Sequence, residues 1–195
     1  MSERESARRP ATFEDLLAIP EDERFHELID GEIVEKTAPS GEHANAEGAV
    51  LGAVRPAFHR RSGGGGLPGG WWILIEVDVQ LGRDIVRPDI AGWRRDTCPE
   101  PPSGFPVQPR PDWVCEIVSP AKPQRDTVKK VRLYHAAQVP YYWLVDPKLA
   151  TLTVMHWRDD GYLTLLVAER GETVRARPFD AIEIAVGTLL GDDPP

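Results

Sequence analysis

Three carboxylates stand where packing should have placed apolar side chains. Glu27 alternates with Phe25 and Ile29, Asp89 follows Pro88 between Val86 and Ile90, and Glu116 interrupts Trp113-Val114-Cys115-Ile117-Val118, otherwise apolar on both faces. A buried carboxylate is costly unless a cation, a metal or a raised pKa compensates it. Arg87 and Arg94 are near enough in sequence to serve as simple partners. Oxygen ligands without clustered His or Cys suit a hard cation such as magnesium or manganese.

A fourth feature is basic. The segment from Lys122 to Arg132 carries Lys122, Arg125, Lys129, Lys130 and Arg132 against Asp126 alone. Asp126, Lys130 and Tyr134 fall at i, i+4 and i+8, one stripe of a helix. Alone, such a stripe is an ordinary solvated face with an ion pair. Here it begins just after the Glu116 strand ends at Ser119-Pro120, so a lysine one or two turns in can turn back toward the acids. Acids holding a divalent metal beside a lysine fit phosphodiester hydrolysis. The metal activates water and the lysine stabilises developing charge. A carboxylate-pair glycosidase would also need two acids, but Trp71 and Trp72 read as core or rim residues rather than a sugar cleft.

The elements that must position these residues can be read in outline. Residues 1–11 form a polar tail, and Thr12 caps a short helix over Phe13 to Leu17. Asp30-Gly31 between two strand-like runs is a hairpin signal. Residues 43–61 suit a helix with Val50, Leu51, Val54 and Phe58 on one side and a kink at Pro56. Trp71 to Leu81 alternates as one half-buried strand. Ile85 to Trp93 reads as a second, with Pro88 marking an edge, bulge or bend. The proline-rich stretch 99–111 reads as a loop or lid. Trp113 to Val118 reads as a central buried strand, 125–138 as a helix, and Tyr141 to Val145 as another buried strand. A hairpin around Asp159-Asp160-Gly161 follows. These elements predict one α/β domain over 12–188 with a mixed central sheet, and a tail over 189–195.

Composition bounds the function. At 195 residues and a net charge of −8, the chain is long enough to fold without disulfides or zinc, and Cys98 and Cys115 form no CxxC pair. The charged N-terminus and the lack of an apolar run of ~20 residues suggest a cytoplasmic protein with no membrane partner. The acidic balance argues against coating nucleic acid by bulk charge. It leaves open a local basic patch, to which Arg60 and Arg61 would add.

The chain resembles the putative restriction endonuclease family of the PD-(D/E)XK nuclease superfamily. The matching stretches are Glu27-Leu28-Ile29-Asp30-Gly31-Glu32, Arg87-Pro88-Asp89-Ile90, Glu116-Ile117-Val118-Ser119-Pro120, Asp126 to Tyr134, and Val139 to Pro147. The resemblance implies a restriction-endonuclease-like fold and a magnesium ion, or manganese, held by Asp89, Glu116 and the Ile117 carbonyl. It implies Glu27 as a further catalytic acid and His43 as a recurrent histidine near the pocket; the spacing alone would equally let His43 face solvent. The superfamily lysine should stand two residues after Glu116, where this chain has Val118. In this family it is displaced to the next helix, where Lys130 fits; Lys129 should point about 100° away. The implied partner is DNA, gripped through Lys122, Arg125, Lys129 and Arg132, with Asp126 and Tyr134 as accessory residues. Cutting both strands of a duplex would suit a homodimer. A nuclease-fold module that binds nucleic acid or protein without cleaving is the alternative.

Overall fold

The computed structural model describes residues 9–63, 65–119 and 125–193, side chains at 125 and 126 excepted. The architecture is α/β with a central mixed sheet. Helix α1 (Phe13–Leu17) leads to the hairpin β1 (His26–Ile29) and β2 (Glu32–Glu35), then to the long helix α2 (Gly41–Phe58). Strands β3 (Trp71–Ile75), β4 (Val79–Leu81), β5 (Asp84–Val86), β6 (Ile90–Arg94) and β7 (Trp113–Ile117) follow. One π-helical turn (Arg125–Lys129) then runs into α3 (Lys130–Ala136). The chain continues through β8 (Tyr141–Asp146), β9 (Thr151–Arg158) and β10 (Gly161–Glu169), and a small ribbon of β11 (Thr173–Val174) and β12 (Ile184–Ala185).

The six-stranded sheet has the order β10-β9-β8-β7-β6-β3, and a four-stranded sheet runs β2-β1-β5-β4. Among the described strand pairs of the two larger sheets, β7–β8 alone is parallel, with helix α3 making the crossover between them. Both faces of the inner strands of the larger sheet are covered. Val50, Val54 and Phe58 of α2 pack with Ile73, Ile90, Trp113, Cys115 and Trp143 on one face. Leu133 and Tyr134 of α3 pack with Ala91, Trp93, Val114 and Tyr142 on the other. Strand β7 is therefore apolar on both sides because both sides are interior.

Two segments that read as single strands are each broken in space. Trp71 to Leu81 is divided between the sheets, with Glu76 at φ 51° turning the chain between β3 and β4. Ile85 to Trp93 is divided likewise, and the bend falls at Arg87-Pro88-Asp89. In the first run the alternation of residue types continues through the break although the burial does not: Ile75 is exposed and Asp78 is buried. The hairpin turn carries Asp30 at φ 52° and Gly31 at φ 74°, the left-handed pair that a two-residue turn demands.

Residues 9–11 and Leu189 are tied to the fold. Arg9 pairs with Asp15 at 2.7 Å, and the Ala11 N–H donates to the Gly31 carbonyl. Leu189 is buried in the α2-side core, so the segment expected to be a tail from 189 begins inside it.

Trp113, Trp143 and Phe179 meet edge to face, with ring centroids 4.7–5.6 Å apart. Gly92 lies under them. A Cβ there would stand 3.0 Å from the Trp113 ring and 3.3 Å from Trp71. Gly92→Ala should therefore overpack the core and cost about 1–3 kcal/mol. Urea denaturation should show a lower midpoint with an unchanged slope.

Candidate active site

The site lies at the seam where the chain passes between the two sheets. Ile90 pairs with Cys115 and Ala91 with Val114. Extending that antiparallel register by one residue sets Asp89 opposite Glu116, on the α3 face. The Ile117 N–H closes the arrangement by donating to Asp89 Oδ2 at 2.7 Å. Glu27 arrives from the other sheet. Leu28 pairs with Ile85, and the Arg87 N–H donates to Glu27 Oε1 at 2.8 Å. Glu27, Asp89 and Glu116 are all at most 1% exposed.

Among the described residues, lysines compensate these acids. Lys130 is fully buried on α3, and its Nζ donates to both oxygens of Glu116 at 2.9 Å. It also stands 3.3 Å from Glu27 Oε1. Glu116 and Val118 share a face of the strand, since side chains alternate. Helix α3 packs on that face, so its lysine reaches the acid across space. Tyr134, one turn later, donates its hydroxyl to Glu116 Oε1 at 2.5 Å. Burial and the Glu116 charge push the tyrosine pKa well above its usual value. Arg87 turns instead to Asp78 through two hydrogen bonds, 2.7 and 3.1 Å, bracing the bend. Arg94 lies over the Trp71 ring.

The other flank holds a residue that the sequence did not single out. Lys36, just past β2, donates to Asp89 Oδ1 at 3.0 Å, Glu76 Oε1 at 2.8 Å and the Arg87 carbonyl at 3.0 Å. Burial works against its charge, but Asp89 and Glu76 outweigh burial and raise its pKa. His43 is buried with Nε2 3.3 Å from Asp89 Oδ2. Burial opposes its protonation, and the bond to Asp89 overcomes that and raises its pKa. Burial likewise pushes Asp89 upward, but the His43 bond and the Lys36 and Lys130 charges prevail and hold its carboxyl well below the usual range. Glu47, one turn after His43 on α2, was also not anticipated. Burial, then the Glu76 and Asp89 charges, push it up to about 7. The i, i+4 spacing of His43 and Glu47 was a readable signal. Lys36 carried none, because its place depends on the Lys36–Phe25 backbone bond and on the sheet-to-sheet seam.

Of the residues expected to meet nucleic acid, Lys129 and Arg132 are exposed on the outer side of α3. Lys122 lies outside the described residues, and so do the side chains of Arg125 and Asp126. Lys36, His43, Asp89, Glu116, Ile117 and Ser119 border a small cavity of about 10 Å³, room for the centre of one water-sized sphere. Among the described residues no three His, Cys, Asp or Glu side chains converge as a closed metal cage. Asp89 and Glu116 border that cavity, and carboxylate oxygens are the donor type a hard cation such as magnesium would take.

Residues 13–187 match the Uma2 family, described as "Putative restriction endonuclease", and the chain belongs to that family. The fold is similar to the 1.96 Å crystal structure of a putative nuclease belonging to DUF820 from Anabaena variabilis ATCC 29413. That likeness has a TM-score of 0.73 at 22% identity, over 93% of this chain and 98% of the other. No curated protein matches the chain.

Two outcomes follow from the buried charges. Lys130→Met removes the ammonium between Glu116 and Glu27 and should cost about 3–5 kcal/mol at neutral pH, whereas adding Glu116→Leu should recover part of that loss in urea denaturation. Glu47 gives a pH signature. Between its ordinary value of 4.5 and about 7, the folded chain keeps a proton that the unfolded chain releases. Its contribution to stability therefore falls as pH rises through that window and levels off above it. In EDTA, the melting temperature of Glu47→Gln should match the parent near pH 5 and exceed it at pH 8. An equal gap at both pH values would contradict the assignment.

Proposed function

We propose that this chain is a divalent-metal-dependent endonuclease hydrolysing phosphodiester bonds in DNA. The observation that carries the reading is the buried Lys130 ammonium, 2.9 Å from both oxygens of Glu116. It restores in space the acid–lysine pairing that Val118 removes from the strand. Family membership supports a nuclease, and the carboxylate oxygens of Asp89 and Glu116 support a hard divalent cation.

Asp89, Glu116 and the Ile117 carbonyl would hold magnesium, or manganese in its place. When bound, the metal supplies a water of lowered pKa and neutralises charge on the phosphoryl oxygens. The remaining work belongs to the chain's own groups. Lys130 stabilises the negative charge that develops around phosphorus, and Glu27 and Glu116 hold its ammonium in place. Tyr134 fixes the orientation of Glu116 by its hydroxyl. His43 orients Asp89, and Lys36 keeps that carboxylate compensated within the closed seam. Lys129 and Arg132, turned outward on the same helix, meet the phosphate backbone. Two copies related by two-fold symmetry would cut both strands of a duplex.

The test is cleavage of supercoiled, linear duplex and single-stranded DNA with magnesium, manganese or EDTA. The parent should cleave only with metal. Asp89→Ala and Lys130→Ala, once circular dichroism shows them folded, should lower the rate by at least about 100-fold. Undiminished cleavage by both variants would sink the assignment. Calorimetric metal binding without cleavage of any substrate would favour the non-cleaving module, which Val118 and the lysine-compensated acids also suit.

A further inference from the structure

A cluster of arginines lies away from the acids, at the far end of β3 and β6. Trp71 pairs with Arg94 in the same ladder that pairs Ile75 with Ile90 beside the site. Around that far end five arginines gather. Arg55 and Arg60 line one open cavity with His59 along the C-terminal part of α2. Arg61 follows them into the glycine-rich loop, and that loop folds back through the Gly69–Ala57 and Gly70–Arg60 backbone bonds. Arg95 donates its backbone N–H to Gly70, lays its guanidinium 3.4 Å over the Trp72 ring and bonds the Trp71 carbonyl through Nε. Arg94 stands 5.2 Å over Trp71.

None of these five guanidinium groups has a carboxylate at ion-pair distance among the described residues. Elsewhere the chain pairs even exposed arginines, as Arg175 with Glu183 and Arg9 with Asp15. The arginines are also close enough to act on one another. Burial and then the Arg61 charge lower the Arg95 pKa, and burial, Arg55 and Arg95 together lower that of His59. Like charges held together without counter-ions, in a chain of net charge −8, disfavour the free protein and favour an anionic occupant.

We infer that this arginine cluster is a second anchoring surface for the phosphate backbone of duplex DNA, remote from the cleavage site. Its occupant rests on the nuclease reading above. Asp89 and Arg94 are five residues apart on extended backbone, about 17 Å. With phosphates spaced about 3.4 Å along each strand axis, that separation spans roughly five nucleotide steps. One duplex can therefore lie along the sheet edge and reach both places. The contact is to charge rather than to base edges, so it adds affinity without sequence preference.

The test is fluorescence anisotropy of a labelled duplex against salt concentration, in EDTA so that no cleavage occurs. The Arg55→Ala, Arg61→Ala double variant changes two exposed side chains outside the acid–lysine seam. It should bind about ten-fold more weakly at moderate salt, and its log–log salt slope should be shallower by about two. Arg175→Ala is the control and should bind as the parent does. A double variant with the parent's affinity and slope overturns the inference. So does a parent that binds no duplex, or one whose arginine-dependent binding is to RNA alone. Metal-dependent cleavage is assayed separately on the same proteins. A parent that cleaves DNA while the double variant binds normally refutes the anchor and leaves the nuclease reading standing. A parent that binds DNA through the arginines but never cleaves does the reverse.

Discussion

Glu27, Asp89 and Glu116 are withdrawn almost completely from water, and each such carboxylate costs several kcal/mol unless a counter-charge is withdrawn with it. The Lys130 ammonium answers two of them and Lys36 the third. Much of the architecture follows from that need. Helix α3 must pack on the face of β7 that carries Glu116. The β1–β2 hairpin must lie close enough to deliver both Glu27 and Lys36. The bend at Arg87-Pro88-Asp89 must turn Asp89 inward, and the Arg87–Asp78 pair braces it there. Replacing these groups with well-packed apolar side chains would often be neutral or stabilising. A seam that keeps them therefore points to a use for them.

Several of these elements were legible in the residues themselves. The Asp-Gly turn announced the hairpin, because few other pairs accept two successive left-handed residues. The unbroken apolar run around Glu116 announced a strand covered on both sides. Lys130 could be preferred over Lys129 because the resemblance places the lysine four residues before Tyr134 and the helical period turns Lys129 to another face. The two breaks at 76–78 and 87–89 were not legible in the same way. At the first break the residue types go on alternating although Ile75 is exposed and Asp78 buried, and only Pro88 hinted at the second. Lys36 was invisible for a related reason. It looks like a surface lysine after a hairpin, and only the packing of that hairpin against the β3–β6 edge carries it to Asp89 and Glu76.

Charge distribution connects the fold to its use. The net charge of −8 describes the chain as a whole and says little about any one surface. Part of the acid is sunk in the seam with its lysines, where distant ligands feel it weakly. Lys130, which the sequence counts among the basic face of the helix, is spent inside that seam. Exposed positive charge stands on the outer side of α3, at Arg132, and at the far end of β3 and β6, at Arg55, Arg61 and Arg94. No helix among the described residues is long and apolar enough to cross a membrane.

The central claim is that the acid seam is a metal-binding catalytic site rather than a structural ion-pair network. It is tested most directly by anomalous diffraction from crystals grown with manganese. The account predicts one strong peak within coordination distance of both Asp89 and Glu116, absent from crystals of Asp89→Asn grown under the same conditions. Full manganese occupancy elsewhere, with the Lys130–Glu116 and Lys36–Asp89 contacts intact and no peak between the two acids, would contradict it.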